Sequence, residues 1–223
     1  MKITVSYLEN NIEINNENIN VLEIENKKIF FRLINDLNQI CNGNVIEEIK
    51  TFIDDKEVSI INKVNVISDY FNIDFSRYML SINKLINENL KGSSDKSLLL
   101  LYKKLIQKYN SIISTVDLPI IVNNDATIES LTKLLKLKIN YKNSIIENLF
   151  SIIELERSLK SSKFIVLVNL KQYLDDNELK ELYKYSIYNN VNIILIDSQC
   201  YGCSHDFEKK LIVDNNLVEF VVK

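Results

Sequence analysis

Glycine, proline, histidine and cysteine are all scarce in this 223-residue chain, at 3, 1, 1 and 3 residues. Each shortage excludes something. Gly43, Gly92 and Gly202 stand in no G-x-x-x-x-G-K-[ST] or G-x-G-x-x-G context. A phosphate loop needs such glycines so that backbone N–H groups can close around phosphate oxygens. The single proline, Pro119, and so few glycines leave little material for tight turns. His205 is the only candidate base for a histidine-dependent triad. Three cysteines, with Cys41 far in sequence from Cys200 and Cys203, do not make a disulfide framework and fit a reducing cytoplasm. No apolar run approaches the roughly 18 residues of a membrane span. The opening MKITVSYLENN turns polar too soon for a secretory signal.

What is present is an ordinary globular composition, 46% hydrophobic and 26% charged, enough to bury a real core. The length fits one large domain or a domain carrying a sizeable insertion. Charge is distributed unevenly. Residues 61–160 hold 14 Lys+Arg against 10 Asp+Glu, whereas residues 1–60 hold 6 against 11 and residues 161–223 hold 7 against 9. The chain is acidic overall but basic in its middle, and binding to a polyanion follows local charge.

The hydrophobic pattern assigns the elements. ITVSY, NIEI and NVLEI read as short strands between Asn-rich turns. KKIFFRLINDLNQI puts Ile29, Phe30, Leu33, Ile34, Leu37 and Ile40 on one helical face, with Gly43 as its stop. IKTFID and EVSII flank Asp54-Asp55 as strand, turn and strand, and KVNVIS is another strand. From about residue 75 the pattern turns helical: FSRYMLSINKLINENLKG, KSLLLLYKKLIQKYNSIIS, TIESLTKLLKL and YKNSIIENLFSIIELERSLKSS. VDLPIIVNND is the reversal between the second and third of these. KFIVLVNL and VNIILIDS are buried strands, and the helix DDNELKELYKYSIYNN between them makes a parallel βαβ unit. LIVDNNLVEFVV predicts a hairpin or edge pair. The fold class is therefore α/β, with a mostly parallel sheet. Its head domain is built from residues 1–74 and 150–223, and an α-helical leg is inserted at 75–149.

Chemistry-bearing patterns are few. Cys200-x-x-Cys203 with His205 is the one metal-like cluster, and it lacks a second ligand pair. Glu48-Ile49-Lys50, with Asp36 upstream, and Glu178-Leu179-Lys180 imitate the acid-x-Lys signature of a metal-dependent nuclease. The Tyr and Phe residues fall mostly at apolar helical positions, which predicts core packing and no stacking platform for single strands. The lysines form the larger feature. Lys84, Lys91, Lys96, Lys103, Lys104 and Lys108 lie on the first two insertion helices, and Lys133, Lys136, Lys138 and Lys142 lie on or beside the third. They predict either a solvated face or sequence-independent contact with a duplex backbone. A helix of roughly 20 residues spans about 30 Å, and that length of duplex carries about 18 phosphates. One insertion at +4 is too little for a stable complex, whereas four copies around one duplex supply about +16.

Length, strand-rich start, IKTFIDDKEVS, the helical insertion and KFIVLVNLKQYLDDNELKELYKYSIYNNVNIILIDS together resemble the type II-A CRISPR-associated protein family of spacer acquisition. The resemblance implies an α/β head similar to P-loop ATPases without their nucleotide site, and a helical leg. It implies a non-enzymatic, cytoplasmic homotetrameric ring that admits double-stranded DNA at an end and holds it by lysines. It further implies stabilising calcium near the head–leg junction, and work beside the CRISPR integrase complex and an effector nuclease. Carried to this chain, the DNA contacts are Lys84, Lys91, Lys103, Lys104, Lys108, Lys133, Lys136, Lys138 and Lys142. The candidate calcium ligands are Asp117, Asp125 and Glu129, which are also natural turn and cap residues. VDLPIIVNND is less acidic than the family tends to be, and Lys136 stands where the family often has Gly. The alternative is a divergent metal-dependent nuclease or NTPase-like enzyme. A third reading is a helix-binding adaptor.

Overall fold

Unbroken apolar runs become central strands because a strand covered on both faces needs no polar side. The computed structural model describes residues 1–15, 17–61, 63–92, 97–115, 130, 132–133, 136–161, 163–202 and 205–222. In chain order the strands and helices are β1 (Lys2–Val5), β2 (Ile12–Glu13), β3 (Ile19–Ile24), α1 (Lys27–Cys41), β4 (Ile49–Ile53), β5 (Lys56–Val58), β6 (Val64–Ile67), α2 (Ser76–Gly92), α3 (Ser97–Ile113), α4 (Ile145–Ser158), β7 (Phe164–Val168), α5 (Asp176–Tyr188), β8 (Ile193–Asp197), β9 (Glu208–Val213) and β10 (Glu219–Val222). A 3-10 turn, Leu170–Gln172, follows β7.

Two sheets result. The larger has the order β10-β9-β3-β8-β7-β6. All its pairings are parallel except the β10 edge, which is antiparallel to β9. The smaller, β2-β1-β4-β5, is antiparallel throughout. The mixed α/β class with a largely parallel sheet is as the sequence predicts. So is the β7–α5–β8 unit, whose strands pair in parallel.

One face of the large sheet packs on α1. The helix starts where Asn26 accepts hydrogen bonds from the N–H groups of Lys28 and Ile29, a cap worth about 1 kcal/mol. It ends at Gly43, whose φ of +91° suits only glycine. Leu33, Leu37 and Ile40 are buried in one core with Leu22, Ile24, Val166, Ile194 and Val213. At about 25 cal/mol per Å² of apolar surface, such side chains each contribute roughly 1.5–3 kcal/mol. The other face lies under α5, which is started by a full capping box: Asp175 accepts from Asn177 and Glu178, and Glu178 accepts from Asp175.

The chain divides into two units, Met1–Ile73 with Tyr141–Lys223, and Asp74–Asn140. The sequence reading expects the return to the head at residue 150, and the first unit resumes at Tyr141. All of α4 belongs to the first unit because it packs along α5. The Phe150 and Tyr185 rings pack at a tilt of 40° with centroids 4.4 Å apart, Tyr185 donates to Glu154 at 2.7 Å, and Ile146, Leu149, Ile152 and Ile153 are buried. The second unit holds α2 and α3; within it Thr132 donates to Asn87 at 2.6 Å.

Candidate functional site

In a parallel sheet the place for a ligand is the carboxyl end of the strands. At the end of β3 the chain enters α1 through only Glu25 and Asn26. Asn26 closes the helix N-terminus with its own side chain, and Glu25 adds a carboxylate beside it. Neither the length nor the charge of this turn suits a phosphate.

Beside it, on the α5 face, lies a buried ionic network. Glu23, Glu208 and Asp197 are 0%, 5% and 0% exposed. The Lys171 ammonium sits 3.3 Å from Glu23 and 2.9 Å from Glu208. That of Lys210 sits 2.9 Å from Glu23 and 3.9 Å from Glu208. Tyr183 donates to Glu208 at 2.8 Å, the Tyr201 amide to Glu23 at 3.1 Å, and Lys210 to the Tyr201 carbonyl at 2.8 Å. Two cations and two anions balance. Asp197 is the fifth charge, and neither of its carboxylate oxygens has a hydrogen-bond partner of good geometry, the Lys171 backbone N–H being at most a weak one. Burial, opposed by Lys171 and reinforced by Glu23 and Glu208, pushes its pKa up to about 7.

The nuclease-like carboxylates are occupied otherwise. Arg32 lies 3.2 Å from Glu48 and 3.9 Å from Asp36, and Tyr7 donates to Asp36 at 3.0 Å. Asp36 and Glu48 thus hold a guanidinium between them. Glu178 belongs to the capping box. Among the described residues no group of three His, Cys, Asp or Glu is placed to hold a metal. In the cysteine cluster, Cys203 lies outside the described residues. Desolvation and the Glu25 carboxylate raise the Cys200 thiol to about 11, away from the thiolate a metal needs. His205 Nε2 faces Asp176 at 3.8 Å. Asp117, Asp125 and Glu129, the candidate calcium ligands, and Lys96 also lie outside the described residues.

Lys84, Lys91, Lys103, Lys104, Lys108, Lys133, Lys136 and Lys138 all belong to the second unit and all are exposed. That unit carries 10 Lys+Arg against 6 Asp+Glu. Lys84 pairs weakly with Glu88 at 3.9 Å. Lys104 and Lys108 share a face of α3 as an i,i+4 pair. Lys136 ends a turn with φ +46°, its N–H bonded to the Lys133 carbonyl. Lys142 is different, because it belongs to the first unit.

Sequence reasoning missed an aromatic corner next to Lys142. Phe71, Tyr141 and Tyr173 are 67%, 42% and 43% exposed and are not core. They come from three separate stretches of chain, after β6, before α4 and after β7. No periodicity within one element could have joined them.

The fold and these surfaces define a mixed α/β protein whose phosphate-loop position is closed and which carries a basic helical unit. Residues 42–217 match the profile of the CRISPR-associated protein family Cas_Csn2, and the chain belongs to that type II-A family. Among solved structures, Stu0660 of Streptococcus thermophilus is similar at a TM-score of 0.61 and 15% identity, over 96% of this chain and 75% of that one. At that identity the likeness is one of fold. A putative ABC transporter ATP-binding protein from Pyrococcus furiosus aligns at a TM-score of 0.39 and 10% identity, over 94% of this chain and 97% of that one. No curated protein matches the sequence. No helix among the described residues is long and apolar enough to cross a membrane.

Proposed function

We propose that this protein is a non-enzymatic, double-stranded DNA-end-binding ring of CRISPR spacer acquisition. The observation that carries the reading is the concentration of exposed lysines on Asp74–Asn140 in a member of a CRISPR-associated family. Lysine ammoniums on helices contact phosphates without reading bases, so the binding is independent of sequence. A single unit bears too little charge to hold a duplex at physiological salt, and four subunits around one duplex supply enough. The partners on this reading are three further copies of the chain, the CRISPR integrase complex and the effector nuclease, in the cytoplasm. Calcium belongs to the proposal through family likeness alone. The residues that would hold it lie outside those described.

The test is binding of the purified protein to one duplex in linear and in covalently closed circular form, with calcium and with chelator. Binding of the linear form alone supports threading at an end, and its loss in chelator assigns calcium a role. Equal binding of both forms replaces the ring with a surface contact. Metal-dependent cleavage of either form moves the nuclease alternative to first place.

A further inference from the structure

At the carboxyl ends of β6 and β7, the usual ligand position of an open parallel sheet, the first unit has a cavity of about 420 Å³. Its size lies in the range of about 300–1,000 Å³ of small-molecule sites. Phe71, Tyr141, Lys142, Tyr173, Leu174 and Glu178 line it.

The rings are held in place. The Tyr141 hydroxyl lies 3.1 Å from the Tyr70 carbonyl and 2.9 Å from that of Phe71, and donates to them. Tyr173 packs against Tyr70 at 5.3 Å between centroids and meets Phe71 edge to face at 5.8 Å and 83°. Tyr70 is itself anchored by its hydroxyl on the Val168 carbonyl at 2.9 Å. A rigid ring loses little entropy when a ligand stacks on it.

The cation is held too. Asn148, 1% exposed, accepts from the Lys142 N–H at 2.8 Å and donates to the Lys142 carbonyl at 2.9 Å. The backbone is clamped while the ammonium stays exposed and, among the described residues, makes no ion pair. Glu178, the acid in the lining, is engaged at the start of α5, where its Oε2 accepts from the Asp175 N–H at 3.0 Å.

Exposed aromatic faces beside an unpaired cation match a ligand that joins a flat π-system to an anion. We propose that this cavity binds a nucleotide, its base stacked on one of the Phe71 and Tyr173 rings and meeting the other edge to face, and its phosphate facing Lys142. The nucleotide has two sources, a free mononucleotide or the unpaired terminal residue of a DNA strand. The second rests on the DNA-end reading above and gives a ring a way to sense that an end is present.

Two duplexes separate these, alike except that one has two mismatched terminal pairs and so frays. Deoxyadenosine monophosphate serves as the free probe, observed by saturation-transfer NMR. The frayed duplex is expected to bind at least about fivefold more tightly than the blunt one, since one base–aromatic stack changes affinity by about 5- to 150-fold. Phe71→Leu, which keeps apolar volume but removes the ring, and Tyr173→Ala are expected to erase the preference and leave blunt-duplex affinity unchanged. Both sites are exposed, and an unchanged melting curve shows that the variants fold. Equal affinity for the two duplexes, with no signal from the mononucleotide, overturns the proposal. A mononucleotide signal lost in Phe71→Leu, without preference for frayed ends, supports the nucleotide site and overturns the strand-terminal source. If neither duplex binds, the DNA reading fails by itself, and the mononucleotide alone decides the cavity.

Discussion

Asp197 is one carboxylate too many in a buried network that is neutral without it. An aspartate in the unfolded chain titrates near 3.9, whereas burial holds Asp197 at about 7. The folded state therefore prefers the protonated form. Its contribution to stability is fully present below about pH 4, declines as the pH rises toward 7, and is gone above that. Three pKa units set a ceiling of about 4 kcal/mol on the effect. In Asp197→Asn the side chain cannot ionise. The variant is expected to melt higher than wild type at pH 8, with the difference shrinking toward pH 5. Thermal denaturation of both proteins across that range measures it, and parallel curves would show that Asp197 is ionised in the folded protein throughout. Nothing in the sequence announced this network. Glu23, Lys171, Asp197, Glu208 and Lys210 are dispersed over most of the chain, and each reads alone as a surface residue. Their burial depends on partners that only the fold supplies.

The same reason explains which elements were legible. α1, β7, α5 and β8 carry their period or their apolar run within themselves, and their positions agree with the sequence reading. β9 is the contrary case. EKKLIV begins with three charged residues, yet Glu208 and Lys210 are buried and the strand pairs in parallel with β3. Lys171 and Glu23 neutralise those charges from outside the strand. Membership of two sheets was equally invisible, since β1, β3 and β4 show similar apolar patterns and differ in which neighbour they find. The β4–β5 turn was legible, and its chemistry is not optimal. Asp54 and Asp55 both adopt left-handed backbone, with φ of +48° and +59°, and Ile53 pairs with Lys56 across them. That geometry strains an L-residue and favours glycine at the second position. Asp55→Gly is expected to stabilise by up to about 1 kcal/mol, raising Tm by about 2–4 °C for a chain of this size. Asp55→Val is expected to lower it. Calorimetry of the pair checks both signs, and a loss on introducing glycine would mean that the Asp55 side chain contributes more than its backbone strain costs.

For the whole molecule, the charge split was legible because charge is additive along a chain. The helical unit that carries it spans Asp74–Asn140. On the proposed DNA-end reading, the role of the lysines depends on how many copies surround one duplex, and salt dependence reads that number directly. The slope of log K against log salt is about −0.9 for each phosphate neutralised on B-DNA. In a single subunit docked on DNA, Lys104→Gln removes at most one contact and changes the slope by about 0.9. In a ring of four identical subunits that places Lys104 against the duplex, the same substitution removes up to four contacts and changes the slope by about 3.6. The Lys104 side chain is exposed on α3, so glutamine there leaves the fold intact and the slope isolates the contact. We expect a change well above 0.9 for Lys104→Gln, and a comparable one for Lys108→Gln on the same face. A change near 0.9 at both positions would keep the phosphate contacts and remove the closed ring. No change at either would clear this face of α3 from the interface and leave the exposed lysines of α2 and of residues 133–138 to carry it.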